Sequence, residues 1–65
     1  MRGSVKLWTE KAWGFIKGDD GRDYFVHISG LLNGERYLCP GDHVDFEIET
    51  NRRSGKTQAA NVRVL

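Results

Sequence analysis

The chain has 65 residues, and 10 Lys and Arg against 9 Asp and Glu leave a formal net charge of only +1, so any affinity for a polyanion must come from local patterning. The single cysteine, Cys39, excludes an internal disulfide and favours a reducing, cytoplasmic setting, and with the two histidines it shows no metal-ligand spacing. No apolar run is long enough for a membrane span or a signal peptide, which leaves one small domain over residues 1–65, near the lower size limit for unaided folding.

Arg2 to Trp8 alternates, with Gly3, Val5 and Leu7 on one side and Arg2, Ser4, Lys6 and Trp8 on the other. This spacing predicts a half-buried strand with a basic and aromatic outer face. Thr9-Glu10-Lys11 is a short turn, and Ala12 to Gly18 is the second strand. Asp19-Asp20-Gly21 is a strong turn signal, because Asp bonds its own backbone and Gly takes a positive φ at little cost. Arg22 to Ile28 is the third strand, completing a meander.

The second and third strands carry the sharpest signal. Period two puts Trp13 and Phe15 on one face with Lys11 and Lys17, and Phe25 and His27 on one face with Asp23. Aromatic pairs at this spacing ordinarily mark a buried face. Here the opposite faces carry Ala12, Gly14 and Ile16, and Tyr24, Val26 and Ile28. Both faces of a strand in so small a domain cannot be core, and His27 and the lysines are poor core residues. The rings are therefore expected outside, where they normally cost hydration and invite aggregation. Flat rings interleaved with lysines suit unpaired bases, stacked on the rings with phosphates near the cations.

Ser29 to Gly41 breaks the alternation and reads as a loop, with one turn of helix around Ser29 to Leu32 that Ser29 could cap. His43 to Thr50 places Val44, Phe46 and Ile48 inward and the acidic Asp45, Glu47 and Glu49 outward. Asn51 to Gly55 is a basic loop, and Lys56 to Val64 is the last strand, with Ala60, Val62 and Val64 as core. Five short strands in so small a chain predict an all-β, closed or nearly closed barrel, since closure hides strand edges.

Several residue patterns resemble those of the bacterial cold-shock proteins and the cold-shock domains of larger proteins. Lys11-Ala12-Trp13-Gly14-Phe15-Ile16 is similar to the family's first ribonucleoprotein motif, Lys-Gly-(Phe/Tyr)-Gly-Phe-Ile. Asp23-Tyr24-Phe25-Val26-His27-Ile28 is similar to the second, Asp-Val-Phe-Val-His-Phe. Gly3-Ser4-Val5-Lys6, Gly41-Asp42-His43-Val44-Asp45-Phe46 and Gln58-Ala59-Ala60-Asn61-Val62 resemble the first and later strands, so the likeness covers essentially the whole chain. It implies a five-stranded antiparallel oligonucleotide-binding barrel that binds single-stranded RNA and DNA and often melts weak RNA structure as a chaperone.

The chain departs from the family pattern at named places. Leu7-Trp8-Thr9 stands where the family has Trp-Phe-Asn, and the following turn is one residue shorter. Trp8 fills either the family's Phe place or, if the register slips, its Trp place; alternation sets it on the face of Lys6, the binding side. Ala12 replaces a glycine, and since Ala takes a positive φ only at a cost, ordinary β backbone is expected there. Ile28 replaces an aromatic, and Glu35 follows Gly34 where another aromatic usually stands, with Tyr37 as the candidate replacement. Fewer strongly stacked bases than in a typical relative are expected.

The expected nucleic-acid-binding residues are Lys6, Trp8, Lys11, Trp13, Phe15, Lys17, Asp23, Phe25, His27, Arg36 and Tyr37. Asp23 has two open roles, accepting from a base amine or pairing with Arg22 or a lysine. Arg52 and Arg53 are expected in a far, solvated loop, His43 on the surface and Cys39 as a bystander. No catalytic constellation or phosphate loop appears, so no enzyme, cofactor, metal or small-molecule substrate is expected. The leading expectation is a cytoplasmic RNA chaperone, transcription antiterminator or translation modulator that works as a monomer, with a dimer left open. A protein-interaction module using the same aromatic face, and an inhibitor of replication that coats single-stranded DNA, are the alternatives.

Overall fold

The computed structural model describes all 65 residues. Five strands form in chain order: β1 (Arg2–Trp8), β2 (Trp13–Gly18), β3 (Asp23–His27), β4 (His43–Thr50) and β5 (Thr57–Val64). They close into a barrel in the spatial order β1-β2-β3-β5-β4. The meander β1-β2-β3 and the pairs β1–β4 and β4–β5 are antiparallel, while β3 meets β5 in parallel at a single pair, Phe25 with Gln58.

Closure leaves one interior. It is filled by Val5, Ile16, Tyr24, Val26, Leu38, Val44, Phe46, Ala59 and Val62, and burying each Val, Ile or Phe is worth about 1.5–3 kcal/mol. Leu38 comes from the long connection between β3 and β4 and is the one buried side chain there. That connection is anchored by Leu32 N donating to Val62 O at 2.8 Å and Gly41 N donating to Val5 O at 2.8 Å. Gly14 must be glycine because a Cβ there would lie 2.0 Å from the Leu7 carbonyl oxygen, where β1 crosses close over β2.

Several expectations from alternation are corrected. In β1 the register shifts between Val5 and Leu7, so that Val5 pairs with Ile16 but Leu7 pairs with Phe15 and Trp8 with Gly14. Paired residues share a face. Leu7 is therefore turned outward, 45% exposed, and Trp8 packs partly against the core. A second shift, between Asp45 and Glu47 opposite Arg63 and Ala60, accompanies a left-handed Asn61 with φ of 50°. The extra residue reverses the phase of β5 before it, so Ala59 rather than Ala60 is buried, and Val64 is only half-buried. Ile48 pairs with buried Ala59 yet is 44% exposed, because β4 runs on past the filled interior.

The turns bring further corrections. Ala12 is not in ordinary β backbone: its φ is 67°. The tight reversal, with Ala12 N donating to Thr9 O at 3.2 Å and Thr9 N to Trp13 O at 2.8 Å, forces its last residue left-handed. After β3 a 3-10 turn spans Ile28–Gly30, and it is capped by His27, not Ser29: the imidazole Nδ1 accepts from Ser29 N at 3.2 Å. In the β2–β3 turn Gly21 takes φ of 81°, and Asp20 accepts from Arg22 N at 3.0 Å and from the Tyr24 hydroxyl.

Ala12→Gly is expected to stabilise the protein by about 0.5–1 kcal/mol. The left-handed cost of about 1–2 kcal/mol for a Cβ is relieved, offset by about 0.4–1 kcal/mol of added unfolded-state entropy. Urea unfolding of both proteins checks this, and a lower midpoint for the glycine variant would contradict it.

The Asp20–Tyr24 pair predicts a pH signature. The Tyr24 hydroxyl, then the Arg22 amide, hold the Asp20 carboxyl below its ordinary value, while accepting from Tyr24 raises the phenol's own value. A carboxylate whose value is depressed by folding contributes stability above the ordinary carboxylate range and loses it as pH falls through the folded value. Tyr24→Phe is therefore expected to lower the melting temperature at pH 7, with the gap narrowing toward pH 3. Melts across that range test it, and a gap of constant size would refute the linkage.

Candidate nucleic-acid interface

β2 and β3 position the outer rings by register. Trp13 pairs with His27, Phe15 with Phe25 and Lys17 with Asp23, so all six side chains share the outer surface. Trp13, Phe15 and Phe25 form a cluster with centroids 5.8–6.0 Å apart. Trp13 and Phe15 meet edge to face at 88°, Phe15 and Phe25 at 75°, and Trp13 and Phe25 are tilted by 32°. All three rings are half-buried rather than fully exposed, because each shields the next. None belongs to the core cluster, which the opposite face supplies.

His27 extends the platform and is exposed. Its Nδ1 is occupied by the Ser29 amide at 3.2 Å, with the Ser29 hydroxyl 3.0 Å away. In the neutral ring this leaves the proton on Nε2, available as a donor beside a flat surface. Asp23 takes the second of its two expected roles: its carboxylate accepts from Lys6 Nζ at 2.9 Å. Lys6 is the residue displaced by the β1 irregularity, and from there its side chain reaches across to β3. Both partners are about half exposed, so the pair is worth no more than about 1 kcal/mol.

Lys11 and Lys17 are exposed and form no ion pair, so they flank the rings as free cations. The outward place expected of Trp8 is held by Leu7, opposite Phe15. Arg36 and Tyr37 stand exposed in the long connection, and the Tyr37 ring, 65% exposed, pairs with none of the cluster.

One wall of the platform was not legible in the sequence. The β4–β5 loop is not remote: a cleft of about 260 Å³ is bounded by Phe25, Asn51, Ser54, Lys56, Thr57 and Gln58. The Phe25–Gln58 pairing brings that loop alongside the rings. No hairpin connects β3 to β5, so alternation alone carries no trace of this neighbour. Arg52 and Arg53 are exposed in the same loop, as expected. No group of His, Cys, Asp and Glu is arranged to hold a metal ion, and no helix is long and apolar enough to cross a membrane.

Comparison with known proteins agrees with the barrel. A family model described as the 'Cold-shock' DNA-binding domain matches residues 1–65. A cold shock-like protein of Thermotoga maritima is 42% identical over all of this chain and 98% of its own length. The cold shock-like protein CspC of Bacillus cereus is 44% identical over 95% of each chain. The RNA-binding protein Unr of Drosophila melanogaster is 43% identical over 68% of this chain, which covers only 4% of that longer protein. With the whole chain matched and its two aromatic motifs paired on one outer face, the protein belongs to the cold-shock domain family, whose members bind nucleic acid and are not enzymes.

Proposed function

We propose that this protein binds unpaired RNA and single-stranded DNA, working as an RNA chaperone in transcription antitermination or translation. The observation that carries the reading is the cluster of Trp13, Phe15 and Phe25 on the outer face of a barrel whose core is complete without it. Rings that fold the protein would face inward; rings left outside at a hydration cost serve a ligand with flat apolar faces. The name of the fly relative, an RNA-binding protein, supports RNA as one such ligand.

Successive bases stack on Trp13, Phe15, Phe25 and His27. Lys11 and Lys17 meet phosphates directly, and Lys6 exchanges its Asp23 partner for a phosphate or leaves Asp23 to accept from a base amine. Leu7 offers one apolar contact at the β1 side in place of a stacked ring. Arg36 and Tyr37 act on longer strands that reach the long connection. Stacking is tolerant of sequence, since every base has a π-face. A protein that holds bases in this way traps transiently open RNA and so disfavours weak hairpins. One domain over residues 1–65 is sufficient for this activity, acting as a monomer.

Tryptophan fluorescence titration against an unpaired pyrimidine run and a hairpin stem of equal length tests the reading. The single strand is expected to quench and the stem to bind far more weakly, because a duplex hides base faces. Salt dependence is expected to be shallow, with a log–log slope of about −2 for three lysines at roughly −0.7 each. Equal affinity for stem and single strand would overturn the stacking model.

Phe15→Ala and Phe25→Ala are each expected to weaken single-strand binding by about 1–3 kcal/mol, the range for one lost base stack. Val26→Ala, which empties part of the interior, is expected to act the other way: about 1–3 kcal/mol of stability lost and binding by the folded fraction unchanged. Parallel titrations and urea melts of the three variants separate the effects. Unchanged binding by Phe15→Ala would remove that ring from the platform.

A further inference from the structure

The largest cleft on the molecule, about 500 Å³, contains none of the clustered rings. It is bounded by Arg2, Ser4, Lys17, Asp19, His43 and Leu65, with glycine backbone between them. Register fixes where it lies. Ser4 pairs with Lys17 of β2 on one side and with His43 of β4 on the other, and Lys17 pairs in turn with Asp23. These four side chains form one row across the outer surface of β4, β1, β2 and β3. The Phe15–Phe25 pair is the next outward row on β2 and β3, so the platform runs into this cleft without a break.

The charges in the cleft are unspent. Neither Arg2 nor Lys17 takes part in any of the protein's ion pairs. Asp45, the carboxylate across from Arg2 in the β1–β4 register, is already engaged by Arg63 at 3.3 Å and the Met1 amine at 3.7 Å. The acidic side chain that lines the cleft is Asp19. A guanidinium, an ammonium, an imidazole and a hydroxyl around an open trough match phosphate oxygens. Leu65 is the one apolar liner, so the trough has no ring pair on which to stack a base.

We propose that this cleft carries the sugar-phosphate backbone of a single strand where it leaves the ring platform and crosses β1 toward β4. The inference rests on the stacking reading of the platform and adds to it a base-independent flank. Arg2 and His43 are the residues that distinguish the two, because neither belongs to the ring site.

The test uses a short pyrimidine oligomer that covers the rings, with and without a tail of abasic deoxyribose phosphates at either end. The tail supplies phosphates but no bases, so any gain from it cannot come from another stacking ring. One of the two tailed oligomers is expected to bind about two- to fivefold tighter than the bare one, the range for one or two exposed charge contacts. Arg2→Gln with His43→Gln is expected to abolish that gain, reduce the tailed oligomer's salt slope by roughly 0.7 per lost contact, and leave the bare oligomer's affinity unchanged. Asp19→Asn is expected to enlarge the gain. Absence of a tail effect at both ends, or a gain that survives in the double variant, would overturn the proposal while leaving the ring platform standing. Failure of the bare oligomer to bind wild-type protein would overturn the platform and this flank together.

Discussion

A closed barrel of five short strands has room for one small core, and that limit organises the rest of the molecule. Phe46, Ile16, Val26, Val44 and Val62 are its largest fully buried side chains, each less than 2% exposed. Once Ile16 and Val26 point inward, the pleat drives Phe15 and Phe25 outward, with no freedom for either strand to rotate. Cross-strand register then sets Phe15 directly against Phe25 and Trp13 against His27. The rings limit their exposure by packing on each other at about 6 Å, a geometry that contributes about 0.5–1.5 kcal/mol per pair. The ring platform is thus a by-product of the core's own packing.

Two irregularities change which residues that rule sends to the surface. In β1 one extra residue around Lys6 turns Leu7 to the platform and Trp8 to the barrel. In β5 the left-handed Asn61 lets Ala59 enter the core in place of Ala60. Each shift keeps the barrel closed by giving one strand the added twist it needs to reach its next neighbour. The β1 shift also frees Lys6 to reach Asp23 across β2. Core packing and charge arrangement at the site are therefore coupled through backbone geometry.

The charge balance, near zero overall, conceals a segregation by face. Glu47 and Glu49 of β4 stand exposed on the acidic side, where Glu47 accepts from Asn61 at 2.8 Å. Lys6, Lys11 and Lys17 flank the rings on β1, the first turn and β2. Such a distribution orients a polyanion toward the rings without making the whole surface adhesive. In the proposed binding mode, stacking supplies most of the affinity and the few lysines supply alignment.

The sequence by itself determined all five strands, the outward rings of β2 and β3, the Asp19-Asp20-Gly21 turn and the family, because each depends on period two or on turn chemistry within a few adjacent residues. The bounds of β1 and β4 agree to the residue, and those of β2, β3 and β5 to within one at each end. Only the tertiary structure decided what depends on partners distant in the chain. Trp8 turns inward because of how β1 meets β2, Ala12 is left-handed because a shortened turn must still join those strands, and Asp23 is spoken for by a lysine from β1. The β4–β5 loop flanks Phe25 because β3 and β5 become parallel neighbours without a hairpin between them. A strand's alternation records which of its faces is apolar; it holds no record of where an extra residue will be absorbed, or of which strand will lie alongside.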